Sequence, residues 1–118
     1  MVYPALDRAA PATLSKKVIS GIMRKQIGFR GLLMTDDLSM KALSGSYAEK
    51  TRAALAAGCD LVLHCNGEMD QMEEVAAAAG PLKGKPLVRA RAALKAARKP
   101  QTFDRKSALK DLEALLPG

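Results

Sequence analysis

The residues most able to do chemistry in this 118-residue sequence are an acidic doublet, Asp36-Asp37, preceded by Thr35 and by the apolar run Gly31-Leu-Leu-Met34. A carboxylate at the end of a buried strand can act as a nucleophile, as a general base or as a cap for the segment that follows. Consecutive strand residues point to opposite faces, so the two acids are not expected to share one pocket as a carboxylate pair. One should face a site and the other should serve the loop. A second group of candidates, His64, Cys65 and Asn66, closes another apolar run. His64 is the single histidine and reads as a satisfied core side chain, while Asn66 at a strand end is placed to line a pocket. Cys59 and Cys65 have no metal-ligand spacing around them and read as two buried, reduced thiols. No metal or cofactor is expected.

Strands and helices must position these groups. Apolar runs at residues 1–6, 31–35 and 60–65 read as buried strands, recurring at the length of a βα unit. Between the first two, residues 14–27 place Val18, Ile19, Ile22, Met23 and Ile27 on one helical stripe. Lys16, Lys17, Arg24 and Lys25 face away, and Thr13 or Ser15 can cap the start. Ser46 and Glu49 form a capping box for a helix over residues 47–57, with Gly58 at its left-handed end. Met69, Met72, Val75, Ala76 and Ala79 form a further stripe, closed by Gly80 and Pro81. Pro86 suits the first turn of another helix, and a last one covers about residues 104–116.

Strand, helix, strand, helix, strand and then helices imply a parallel sheet with right-handed crossovers. Three strands that are apolar on both faces expect neighbours and cover on both sides, so the chain reads as part of something larger. The expected fold is α/β, the C-terminal (β/α)3 portion of a (β/α)8 TIM barrel with extra C-terminal helices. Residues 1–80 would hold the last three βα units, and residues 81–118 the helices that pack on the barrel.

Composition narrows the function. The chain is 48% hydrophobic, with two Phe, two Tyr and no Trp, and its formal charge is +7. The basic excess lies toward the C-terminus, in residues such as Arg89, Arg91, Lys95 and Arg98, where it reads as solvated helix faces. With so few aromatic residues and no recognition-helix motif, nucleic-acid binding is not expected. No run approaches a membrane span and no leader opens the chain, so the expected compartment is the cytoplasm.

The stretch Ile27-Gly-Phe-Arg-Gly-Leu-Leu-Met-Thr-Asp-Asp-Leu-Ser-Met-Lys-Ala-Leu43 resembles the nucleophile motif of family 3 glycoside hydrolases, in the subgroup of β-N-acetylglucosaminidases that recycle cell-wall peptidoglycan. Val2-Tyr-Pro-Ala-Leu-Asp7, Pro11-Ala-Thr-Leu-Ser15 and Ala56-Ala-Gly-Cys-Asp-Leu-Val-Leu-His-Cys-Asn66 are similar to the segments on either side. The resemblance runs from residue 1 to about residue 80. It implies that Asp36, directly after Thr35, is the catalytic nucleophile and that Asp37 supports it or the loop. It also implies a retaining double displacement on terminal β-N-acetylglucosamine of peptidoglycan fragments. A Lys-His-Phe-Pro-Gly-His-Gly stretch and a mobile loop bearing the acid–base His, both upstream in such enzymes, are absent here. The chain is therefore expected to be a partial catalytic domain, inactive alone, that pairs with the missing upstream barrel segment or with itself.

Two other readings compete. A phosphorelay receiver has a similar length and paired acids, but places its acids after different strands. A non-catalytic interaction domain would use the basic C-terminal helices to bind an acidic partner.

Overall fold

The computed structural model describes residues 2–99 and 102–116. Its centre is a parallel pair of strands, β1 (Met34–Asp37) and β2 (Leu61–Leu63), joined by the crossover helix α1 (Tyr47–Ala57). Met34 pairs with Leu61 and Asp37 with Leu63, so β1 runs through one more residue than β2 over the same stretch. That extra residue is a bulge, a device that re-aims side chains at the end of a strand. Thr35 adapts to it: its Oγ1 accepts the Leu63 N–H at 3.0 Å.

α1 has the ends its sequence implies. Ser46 Oγ accepts the Glu49 N–H at 3.2 Å, and Glu49 Oε2 accepts the Ser46 N–H at 2.8 Å. Gly58 ends the helix at φ 117°, a left-handed position where a side chain would also press on Ser20 and Ile19. Upstream, a 3-10 turn (Ala12–Leu14) leads into a wide helix of π type (Lys17–Gln26), as in the Ile27 N–H bond to the Ile22 carbonyl. Ser15 caps its start by accepting the Val18 N–H at 3.0 Å. Downstream lie α2 (Met69–Ala79), α3 (Gly84–Ala96) and α4 (Arg105–Leu115).

The core is two small clusters rather than one. Ile19, Ala57 and Cys59 pack with Met23 and Leu33 under one side of the sheet. Leu38, Leu43 and Val75 pack with Leu14, Met40, Tyr47 and Val62 under α1 and α2. Neither α3 nor α4 contributes a buried residue.

Several expectations need correction. Residues 2–6 are not a strand: Tyr3 O accepts the Leu6 and Asp7 N–H groups, closing a turn at Pro4, whose nitrogen has no hydrogen to give a ladder. Met1, also assigned to that strand, lies outside the described residues, as do Pro117 and Gly118 of the C-terminal segment. The sheet among the described residues is therefore two-stranded, not three-stranded. Ile27 is exposed: it caps the helix after its last residue, Gln26, and does not join the buried Val18–Ile19 side. Met69 and Met72 are exposed as well, and Val75 alone in α2 is buried. Cys59 is buried as expected, but Cys65, beyond the end of β2, is exposed.

Candidate active site

β1 and β2 run parallel, so their C-terminal ends open on the same side, where Asp36-Asp37 and His64-Cys65-Asn66 emerge. The two acids diverge there. Asp37 turns into its own loop: its Oδ1 accepts the Ser39 N–H at 3.1 Å and the Cys65 N–H at 3.2 Å, and its Oδ2 takes the Ser39 hydroxyl. Those bonds, the hydroxyl first, hold its carboxyl below the usual Asp value of 3.8. It ties the end of β1 to the end of β2.

Asp36 points the other way and is exposed. The Asp37 N–H meets its Oδ1 at 2.9 Å, a backbone contact that fixes one oxygen, and among the described residues no hydrogen bond engages the other. Beside it lies a cleft of about 190 Å³, walled by Thr13, Val18, Ile19, Met23, Leu33 and Met34 among others. That wall is almost wholly apolar. A sugar needs polar partners for its hydroxyl and amide groups, so the cleft presents a carboxylate without the contacts that would hold a sugar on it. A wider cleft of about 440 Å³ borders Asp60, Leu61 and Val75 at the opposite end of β2 and does not include Asp36.

Asn66 is exposed just past β2, on the side where the strands open. Its Nδ2 donates to Tyr47 Oη at 3.4 Å and to Gln71 Oε1 at 3.3 Å, both at the long limit, so its amide can be re-aimed toward a ligand. His64 departs from the expected satisfied side chain. Its ring stands edge-on to Tyr47 with centroids 5.0 Å apart, and both nitrogens are buried without a hydrogen-bond partner among the described residues. Tyr47, against which the ring stands, accepts from Asn66, and Asp37 accepts from Ser39 and Cys65.

An ionic cluster lies outside the sequence expectations. Arg24 and Arg89, expected on solvated helix faces, both reach the buried carboxylate of Asp60, each at 2.7 Å. The signal available in the sequence was Asp60 itself, an acid opening a buried strand and needing a partner. Its charge adds to burial in pushing the adjacent Cys59 thiol up to about 11.

Comparison with known proteins shows the family. Residues 1–97 match the family model for the glycosyl hydrolase family 3 N-terminal domain. The chain belongs to glycosyl hydrolase family 3.

Family 3 relatives agree with that match. A β-hexosaminidase of Chromobacterium violaceum is 43% identical over 83 residues, covering 69% of this chain and 23% of that protein. The β-hexosaminidase of Thiobacillus denitrificans is 46% identical over 68 residues, covering 56% of this chain and 19% of its own length. A solved family 3 β-N-acetylglucosaminidase from Paenibacillus sp. str. FPU-7 superposes with a TM-score of 0.66 at 27% identity, over 88% of this chain and 23% of that one. The chain thus spans less than a quarter of the relatives it matches. Family 3 membership removes the receiver as an alternative.

Proposed function

We propose that this chain carries the nucleophile of a retaining β-N-acetylglucosaminidase, and that Asp36 is that nucleophile. The supporting observation is the divergence of the doublet: Asp37 is consumed by the loop, while Asp36 is exposed at the strand end with one oxygen unbonded among the described residues. In the reaction, that oxygen bonds to the anomeric carbon as the glycosidic C–O bond breaks, and an acid protonates the departing oxygen. Water, deprotonated by the same acid–base group, then attacks the anomeric carbon and releases Asp36. Asn66, past the end of the neighbouring strand and outside the small apolar cleft, offers an amide to the sugar.

Residues 1–80 act as the closing βα units of a TIM-type barrel, and residues 81–118 as helices that pack on it. The acid–base His and most sugar contacts belong to upstream barrel units, so the isolated chain does not turn over. The substrates are peptidoglycan fragments ending in β-N-acetylglucosamine, handled in the cytoplasm. The names of the β-hexosaminidase relatives favour this substrate class over other glycosides.

The test is hydrolysis of an aryl β-N-acetylglucosaminide by the chain alone and by the chain mixed with a separately produced upstream barrel segment of a family relative. Activity in the mixture only, reduced by about 10³-fold or more in Asp36→Ala, is expected. Turnover by the chain alone, or activity that survives Asp36→Ala, would contradict the proposal.

A further inference from the structure

We propose that Asp60 is the positioning residue for Asp36, and that its two oxygens do separate jobs: Oδ2 sets the strand that carries the carboxylate, and Oδ1 ties helix α3 to the sheet. The first part rests on Asp36 being the nucleophile.

The strand is set at Leu33, immediately before β1. Asp60 Oδ2 accepts the Leu33 N–H at 2.9 Å, and the Asp60 N–H returns a bond to the Leu33 carbonyl at 2.8 Å. Leu33 is therefore held by both of its backbone polar groups. It lies three residues before Asp36, about 10 Å along an extended chain, so a slip at Leu33 moves the carboxylate with it. Arg24 extends the hold backwards. One guanidinium nitrogen donates to Asp60 Oδ2 at 2.7 Å, and the other donates to the carbonyls of Gly31 at 2.8 Å and Phe29 at 3.2 Å. The Arg24 group also lies 5.3 Å from the centre of the Phe29 ring. A planar fork spans these acceptors, and the single ammonium of a lysine cannot.

Oδ1 works on a different element. It receives Arg89 of α3 at 2.7 Å. α3 buries no side chain, and a groove of about 400 Å³ separates Val88, Ala92 and Ala93 from residues 30–32, so this ion pair is its main tie to the sheet. The Asp60 side chain is 2% exposed. A buried charge persists only when fully partnered, and this one is satisfied by two guanidinium groups and one backbone N–H. The carboxylate thus couples the start of β1 to α3.

The test compares Asp60→Asn, Arg24→Lys and Arg89→Ala in the full chain by residue-resolved amide exchange, with kcat and KM measured in the mixture with the upstream barrel segment. Asp60→Asn and Arg24→Lys should raise exchange over Leu33–Asp37 by about tenfold relative to α1. They should lower kcat by about tenfold with KM unchanged, since misplacement of a reacting group acts on the chemical step. Arg89→Ala should raise exchange chiefly in α3, with a much smaller effect on β1 and kcat than Asp60→Asn. Uniform loosening, no loosening of β1, or an Arg89→Ala effect on β1 as large as that of Asp60→Asn would overturn the proposal. Should Asp60→Asn fail to fold, Arg24→Lys tests the hold on Leu33 through the same carboxylate. If the wild-type mixture does not turn over, the glycosidase assignment falls, and the exchange pattern alone decides the role of Asp60.

Discussion

Asp36 and Asp37 are neighbours in sequence with unlike surroundings, and strand alternation makes that difference legible in the sequence itself. What alternation does not say is which acid faces the loop. Ser39 and the Cys65 N–H decide it, and Cys65 is 28 residues away in sequence from Asp37. Asp7 is held low in the same manner, chiefly by the Ser15 hydroxyl and then by the Ala9 N–H. For both acids the folded-state value lies below the unfolded one, so their contribution is present above the ordinary Asp value and is lost as pH falls through the depressed one. Denaturation midpoints should therefore drop between about pH 5 and pH 3, and drop less in an Asp7→Asn/Asp37→Asn variant. Equal slopes in the two proteins would show these bonds to be inconsequential. The cysteines separate just as clearly. With its thiol pushed up to about 11, only about one Cys59 in a thousand is thiolate near pH 8, and it is buried, whereas Cys65 is exposed. Iodoacetamide should label Cys65 in the native chain and Cys59 only after unfolding, as read by peptide mass spectrometry. Their different fates are hidden in the sequence, because an apolar run does not show where its strand stops.

Helices are more legible than strands. Ser46, Glu49 and Gly58 mark both ends of α1, since a cap is a local bond between residues three apart. Ser46→Ala should cost about 1 kcal/mol in chemical denaturation. Gly58→Ala should cost more than the ~1 kcal/mol usual for a strained left-handed position, because its Cβ would come within 2.8 Å of Ser20 Oγ and 3.2 Å of Ile19 Cγ2. A smaller loss for Gly58→Ala than for Ser46→Ala would show that the helix end moves freely. Strands depend instead on partners. Residues 2–6 have an apolar sequence and still form a turn, because pairing is a property of two segments and a periodicity belongs to one. The inward turn of Arg24 and Arg89 is hidden for a related reason. Their positions within a helix pattern indicate solvent, and only the three-dimensional approach of Asp60 draws them inward.

At the scale of the whole molecule, the exposed apolar surface is the dominant fact. Met34 of β1 is 50% exposed, and Phe103, Leu112, Leu115 and Leu116 are exposed along and beside α4. The radius of gyration is 18.4 Å, against about 13.5 Å for a compact chain of this length. Two small clusters and a two-stranded sheet are a small core for a chain that spans less than a quarter of the relatives it matches. The chain alone should self-associate, with a sedimentation-derived mass rising with concentration above the 12.5 kDa monomer. A monomer at about 100 μM would mean that these surfaces close on themselves. The α/β fold and the family are legible from the βα rhythm and the motif around Asp36. The number of strands is not, since the first apolar run does not pair.

The central claim concerns one carboxylate, and the most direct measurement is covalent. The chain, combined with an upstream family 3 segment, should be treated with a mechanism-based fluorosugar related to N-acetylglucosamine, digested and mapped by mass spectrometry. The account predicts a glycosyl adduct on Asp36, absent in Asp36→Ala. An adduct on another residue of an active mixture, or turnover without any adduct at Asp36, would contradict it.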